Sequence, residues 1–217
     1  MTARRWGAWL GVGAQVVFVT AFLVAALWQG PRYDPVAHTI SDMYAVTAPH
    51  GAALAWVLAL CGLATVVFAL GALAPALSGT GARGRVGAVL VAVSILGLGD
   101  LLSPLEREAC RLADPGCTES DQLANLGGVL DGVLSSLGLA ALIAAAFVLA
   151  GPVARLSGPA AGKAVRATGA ALIVLVLATV LIPGAGGLME RLLAGAAAAF
   201  VAGLGVVVLR AEDVRPS

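Results

Sequence analysis

Six long apolar segments dominate this chain of 217 residues and limit what it can fold into. They cover approximately residues 8–28, 52–77, 86–102, 123–149, 167–182 and 188–209, the fifth being the shortest. At about 1.5 Å of rise per residue, α-helices of this length cross the roughly 30 Å hydrocarbon core of a bilayer. The sequence therefore predicts an all-α integral membrane protein, in which residues 1–217 form one six-transmembrane-helix bundle.

The composition supports the same fold class. Hydrophobic residues make up 60% of the chain, charged residues make up 12%, and the mean hydropathy is +0.98. A soluble domain carries about 25% charged residues, so ordinary burial could not absorb this much apolar surface. The 28 glycines suit helices that pack closely in lipid.

The distribution of cations predicts how the chain is threaded. With a cytoplasmic amino terminus, the cytoplasmic segments hold nine cations: Arg4, Arg5, Arg83, Arg85, Arg155, Lys163, Arg166, Arg210 and Arg215. The opposite side holds four: Arg32, Arg107, Arg111 and Arg191. This bias satisfies the positive-inside rule, so we predict that both termini are cytoplasmic. We also predict that Trp28, Tyr33 and Tyr44 mark the outer interface.

Residues 30–51 form a conspicuous polar stretch between the first two apolar segments. We predict that this stretch, called here the cap, covers the outer end of the bundle. We also predict a helical turn that begins near Ser41, with Thr39 or Ser41 as its N-cap residue. Its candidate functional residues are Tyr33, Asp34, His38, Ser41, Asp42 and His50.

Ionisable residues within the apolar segments are the second candidate feature: Asp100, Asp131, Glu190 and Arg191. Because a charge in hydrocarbon is costly, such groups face the bundle interior, pair with one another or become neutral. All four fall in the outer half of the membrane, which predicts an outer-leaflet site beneath the cap. The alternative is structural, with Arg191 neutralising one acid in a fixing ion pair while the other acids reach water. Gly128 and Gly132 form a small-xxx-small step, which predicts a close neighbouring helix.

Cys110 and Cys117 lie in the polar segment after the third apolar segment and flank an Asp-Pro-Gly turn. On the oxidising outer face this spacing favours a disulfide, and two free thiols are the alternative. A zinc site there is less favoured, because no other Cys or His lies beside them.

Other chemistry receives weaker support from the sequence. His38, Asp42 and His50, with Asp100 or Asp131, could provide nitrogen and oxygen ligands, but their spacing matches no strong metal motif, so we predict no metal and no cofactor. His38 precedes Ser41 by three residues, which leaves open a serine nucleophile with a histidine base. Nothing indicates nucleic-acid binding.

The stretch YDPVAHTISDMYAVTAPHG resembles the first outer loop of the bacterial six-helix family known as domain-of-unknown-function 998. The likeness lies in the Tyr/Asp-Pro start, the Ile40-Ser41-Asp42 core and the polar segment before the fourth helix. That family looks like a distant relative of Frag-type membrane proteins, some of which are linked to lipid remodelling. The resemblance implies six helices and a shared outer site around Ser41 and Asp42, but no established activity. Many members carry a histidine near the start of helix four, a region where this chain has none.

Three functions are consistent with these features. The first is a membrane protein whose outer polar pocket binds a lipid head group or small solute; its oligomeric state is left open. The second is an intramembrane enzyme of hydrolase or transferase type, acting on lipid-linked substrates through Ser41, Asp42, His38 and Asp131. The third is proton-coupled transport with Asp131 as a relay, which the expected absence of broken helices disfavours.

Overall fold

A computed structural model describes residues 2–213, and these contain six long apolar helices and no β-strand. The helices are Ala3–Trp28, Gly51–Ala76, Ala82–Leu102, Leu126–Ser157, Pro159–Leu181 and Gly186–Asp213, numbered here helix 1 to helix 6. Each is long and apolar enough to cross a membrane. The predicted all-α, six-helix fold class is therefore confirmed.

Several predicted helix bounds are wrong, most of all between helices 4 and 5. The predicted segments 123–149 and 167–182 leave a 17-residue connection, whereas helix 4 continues to Ser157 and helix 5 begins at Pro159. Gly158 alone joins them, with a φ of 92° that glycine adopts without strain. Pro159 occupies the first helical turn, where its missing N–H needs no partner. Both helices therefore extend past their apolar segments.

The six helices form a closed ring in which each packs against its neighbours in sequence and helix 1 packs against helix 6. Because consecutive helices alternate in direction, the connections 29–50, 103–125 and 182–185 share one end, called here the loop end. The opposite end holds the termini, where Arg4 forms an ion pair with Glu212 at 3.3 Å and Arg5 pairs with Asp213. The cytoplasmic placement of the termini stays a prediction, and Arg215 lies outside the described residues.

Helix 3 is broken near its middle, so the expectation of unbroken helices is wrong. Ser94 is extended, with φ −70° and ψ 173°, and a π-helical segment Ile95–Gly99 follows it. The Ser94 hydroxyl donates to the carbonyl of Val91 at 2.7 Å, which satisfies one acceptor at the break. Asp100 directly follows the π-helical segment and begins the last α-helical turn of helix 3.

The close approach of another helix, predicted at Gly128 and Gly132, occurs elsewhere on helix 4. No atom lies within 4 Å of the position that a Cβ would take on Gly132. A Cβ on Gly128 would meet the carbonyl of Gln122, which belongs to the connection before helix 4 and not to another helix. The backbone of helix 3 instead meets Gly138, at the residue that follows the break.

Candidate functional site

A cavity of about 190 Å³ lies among the helices at the loop end. Four carboxyl side chains line it: Asp100, Glu106, Asp131 and Glu190. Four hydroxyl side chains line it as well: Ser41, Tyr44, Ser103 and Ser135. Its apolar wall includes Phe18, Leu58, Leu96, Leu139 and Leu193. The cavity is thus lined by both polar and apolar side chains.

Tyr44 connects the cap to helix 4. Its hydroxyl donates to Asp131 Oδ1 at 2.7 Å, and burial followed by the charge of Asp131 raises the pKa of this phenol well above its usual value. The prediction that Tyr33 and Tyr44 mark the interface is wrong, because their side chains are only 8% and 7% exposed. Each tyrosine has a polar partner inside the protein, so burial leaves no hydroxyl unsatisfied.

Asp42 is fully buried and joins the two long connections, but it does not line the cavity. Its Oδ1 accepts from the backbone N–H of Leu112 at 2.9 Å and from Gln122 Nε2 at 3.0 Å. Its Oδ2 has no hydrogen-bond partner. Burial raises the pKa of Asp42, and the Leu112 N–H partly opposes this. Asp42 therefore acts in the structure as an anchor of the cap.

The predicted turn of the cap is a 3₁₀ helix, Ser41–Tyr44, with Thr39 Oγ1 accepting from the N–H of Asp42 at 3.2 Å. Ser41 lines the cavity, and its hydroxyl donates to Glu108 Oε1 at 3.3 Å. Gln122 Nε2 donates to the other oxygen of Glu108 at 2.8 Å. Burial, with the charges of neighbouring acids, raises the pKa of Glu108 to about 8.

We expect the stability of the protein to fall as the pH rises from about 5 to about 8, in part through Glu108. The pKa of this carboxyl is about 8 in the folded protein and 4.5 as the reference value. Between these values the folded state holds a proton that the unfolded chain has released, so rising pH favours unfolding until the folded carboxyl ionises. Each unit of pKa difference corresponds to about 1.4 kcal/mol. Thermal unfolding of detergent-solubilised protein across this pH range measures the effect.

Glu108→Gln should flatten this pH dependence. The amide oxygen can still accept from Gln122, and the amide nitrogen can donate to the Ser41 hydroxyl. Asp42 and Glu106 also have raised pKa values, so the slope is reduced rather than abolished. Glu119→Gln, at an exposed position, is the matched control. Equal slopes in the wild type and Glu108→Gln would contradict this role of Glu108.

Arg191 holds the cap rather than an acid. Its Nη1 donates to the carbonyls of Pro35, His38 and Gly187, each at 2.8 Å, and its Nη2 donates to the Tyr33 hydroxyl. The three ion pairs within residues 2–213 do not include it, so the expectation of an ion pair between Arg191 and a buried acid is wrong. The planar guanidinium has several N–H donors, so it can bind several backbone carbonyls at once in place of a single carboxylate.

Glu190, next to Arg191 in sequence, lines the cavity. One of its carboxyl oxygens, Oε2, accepts from the N–H of Ile40 at 3.0 Å. Through this hydrogen bond, helix 6 holds the start of the 3₁₀ helix Ser41–Tyr44.

The two histidines have separate surroundings. His38 Nδ1 accepts from the N–H of Asp34 at 2.8 Å, and its ring lies 5.4 Å from that of Tyr33. His50 starts helix 2 with a φ of 54°, and its ring lies 6.2 Å from that of Trp28. Within the described residues, no group of three His, Cys, Asp or Glu side chains is arranged to hold a metal ion. Asp34 forms a turn, since its Oδ1 accepts from the N–H of Val36.

A disulfide joins Cys110 and Cys117 in the second long connection. Within this loop Arg111 and Asp114 form an ion pair at 2.5 Å, and Arg111 also donates to the carbonyl of Gln29 at 3.1 Å. Although burial opposes the shift, hydrogen bonds led by those from Arg111 hold the pKa of Asp114 below its usual value. The loop is therefore tied to the end of helix 1.

The sequence interpretation missed four residues that build this site: Tyr44 as a partner of Asp131, and Glu106, Glu108 and Gln122. One signal was available in the sequence: Glu106 and Glu108, shortly after helix 3, are separated by a single residue. Residues at positions i and i+2 of a segment without helical structure can face the same side.

Six apolar helices that alternate in direction define a multi-pass, membrane-type helical protein. The family model described as "Protein of unknown function (DUF998)" matches residues 12–207, so the chain belongs to this family. The matched range contains every cavity-lining residue named above. Searches of curated proteins and of solved structures returned no match.

Proposed function

We propose that this is a binding protein of the bacterial inner membrane, with its loop end facing outward and a lipid head group or small solute as its ligand. The observation that carries the proposal is the cavity itself, in which convergent carboxyl and hydroxyl groups meet an apolar wall. Binding sites for small molecules combine these features: mostly apolar walls and a few polar groups that fix orientation.

The break in helix 3 supports this proposal. The π-helical segment that follows it contributes Ile95, Leu96 and Gly99 to the cavity lining, and Asp100 comes next. Such π segments occur frequently at functional sites, and discontinuous helices form the substrate sites of many membrane transporters. A break in a membrane helix leaves backbone groups without their helical hydrogen bonds, and lipid offers no water to replace them. Such a break is therefore tolerated where it is buried in protein or lines a cavity, as it does here.

Half-buried lining residues suggest where a ligand enters. Ser135 and Leu139 on helix 4, and Glu190 and Ala194 on helix 6, line the cavity yet remain partly exposed. A lipid head group or an amphiphilic solute could therefore approach from the outer leaflet beside these exposed parts of helices 4 and 6.

Binding is favoured over the enzyme alternative by the surroundings of Ser41. The hydroxyl of Ser41 contacts Glu108 and Thr39. His38 Nδ1 already accepts a hydrogen bond from Asp34, so the histidine proposed as a base for Ser41 is engaged elsewhere. A serine nucleophile requires a base within hydrogen-bond reach. The carboxyl that Ser41 does reach is Glu108, and its pKa of about 8 keeps it mostly protonated at neutral pH, which makes it a poor proton acceptor.

Blocking the cavity tests the proposal. Ala194→Trp places a large side chain at the cavity wall and is expected to remove bound ligand. The measurement is native mass spectrometry of protein purified in mild detergent, followed by identification of the molecules released on denaturation. Wild-type protein should carry an adduct that the variant lacks.

Ala199→Trp is the matched control, because Ala199 lies on the same helix at an exposed position outside this cavity. It should retain the adduct and show the same thermal unfolding as wild type. The proposal is wrong if wild type, Ala194→Trp and Ala199→Trp carry the same bound molecules in the same amounts.

A further inference from the structure

Within residues 2–213, the cavity carboxyls take part in no ion pair. The three ion pairs within residues 2–213 are Arg4–Glu212, Arg5–Asp213 and Arg111–Asp114, and all lie outside the cavity. Among the described residues that line the cavity there is no Arg, Lys or His. Four carboxyls therefore surround one small space without a direct ion-pair partner in the described part of the chain.

The nearest arginines are committed to backbone groups. Arg191 donates to three carbonyls and a tyrosine hydroxyl. Arg107 donates through Nε to the carbonyl of Tyr44 at 2.8 Å and through Nη2 to that of Ala45 at 2.9 Å. Neither can turn toward the cavity without breaking hydrogen bonds to several partly buried carbonyls, which is costly.

Glu106 supplies an independent sign that a ligand group is missing. Its side chain lines the cavity and is 3% exposed, and its Oε1 has no hydrogen-bond partner. Burial, and then the charge of Asp131, raise the pKa of Glu106 to about 8. Buried polar atoms in proteins almost always have a partner, so an unpaired carboxyl oxygen aimed into a cavity indicates a place for a donor.

We infer that the cavity binds a primary ammonium group, which donates to Glu106 and the neighbouring carboxyls while its carbon chain contacts the apolar wall. This inference rests on the proposed function and specifies its ligand class. An ammonium offers three donors to acceptors spread around a space, which matches carboxyl and hydroxyl groups on several helices. Phe18 also lines the cavity, and a cation placed over its ring would gain a cation–π contact.

A metal ion fits this lining less well than an organic cation. Metals need several ligands converging at about 2–2.6 Å, and the described residues hold no such group. The cavity volume of about 190 Å³ lies below the roughly 300–1,000 Å³ typical of drug-sized ligands, which indicates a small amine or the amine end of a lipid head group.

Binding of propylammonium, compared with 1-propanol as a neutral molecule of similar size, tests the inference. Wild-type protein in phosphatidylglycerol nanodiscs is titrated with each compound, and binding is followed by calorimetry and by the rise in thermal unfolding temperature. We expect propylammonium to bind and 1-propanol to bind at least about tenfold more weakly, because a charged hydrogen bond is worth a factor of this size or more.

Glu106→Gln should weaken propylammonium binding by about tenfold or more. Without ligand, the variant should unfold at a temperature no lower than that of wild type, because the amide removes a buried carboxyl whose raised pKa lowers stability at neutral pH. Glu119→Gln, an exposed acid in the same connection, should bind as wild type does. Equal binding of both probes, or an unchanged affinity in Glu106→Gln, overturns the cation inference but leaves a binding cavity. If neither probe binds and Ala194→Trp loses no adduct, both the inference and the proposed function fail.

The lipid composition of the nanodisc separates the two sources of an ammonium group. Added phosphatidylethanolamine should compete with propylammonium if the ligand is a lipid head group, whereas phosphatidylcholine, which has no N–H, should not. Competition by neither lipid, with propylammonium still bound in a Glu106-dependent way, assigns the site to a free amine.

Discussion

Gly138→Ala is expected to destabilise the protein by about 1–3 kcal/mol, as overpacking a close contact does. A Cβ at this position would lie 2.6 Å from the backbone N of Ile95 and 2.8 Å from its Cα. These are backbone atoms at the break in helix 3, so they cannot rotate away as a flexible side chain could. Helices 3 and 4 would have to separate at the cavity wall. Thermal unfolding in detergent, followed by tryptophan fluorescence, measures the loss.

Gly132→Ala on the same helix is the matched control. No atom lies within 4 Å of its Cβ position, and alanine favours helix over glycine by up to about 1 kcal/mol. This variant should therefore be as stable as wild type or slightly more stable. Equal losses in Gly132→Ala and Gly138→Ala would show that glycine content, and not the contact with Ile95, sets the stability.

Arg107→Ala is expected to cost about 3 kcal/mol and to loosen the cap. Hydrogen bonds to charged groups are each worth about 1.5–3 kcal/mol, and the guanidinium donates to the carbonyls of Tyr44 and Ala45. Its removal frees the backbone of Tyr44, whose hydroxyl holds Asp131. We expect a lower unfolding temperature and faster cleavage by protease within residues 29–50.

Arg107→Lys keeps the charge but not the planar fork, so it should recover only part of the stability. Arg32→Ala removes an exposed arginine from the cap itself and should leave both measurements unchanged. If Arg32→Ala and Arg107→Ala behaved alike, general charge, rather than these two hydrogen bonds, would explain the effect.

The number and type of the helices could be predicted because each apolar segment reports its own surroundings. A segment such as 52–77 needs no knowledge of its neighbours to be identified as a membrane-spanning helix. Helix ends were less predictable, since Gly158 and the caps, rather than hydropathy, decide them. Asp100, Asp131 and Glu190 could likewise be assigned to one end of the bundle by counting residues along their helices.

The site's connectivity could not be predicted in the same way. Asp42 was expected to be a functional group of the cap, but it binds Leu112 and Gln122 instead of lining the cavity. In the structural alternative Arg191 was expected to neutralise an acid, but it donates to backbone carbonyls of the cap. In both cases the partner comes from a distant connection whose path hydropathy does not describe.

The sequence by itself determined that this is a six-helix, membrane-type protein with its buried acids near one end, because length, hydropathy and charge position act locally along the chain. Only the tertiary structure decided that Tyr44 meets Asp131, 87 residues away, and that Glu106 enters the same cavity. It also decided that helix 3 breaks at Ser94, where Gly138 of another helix leaves room for its backbone. Such pairings depend on which surfaces meet when the helices pack, and a buried polar group takes the partner that packing brings within reach.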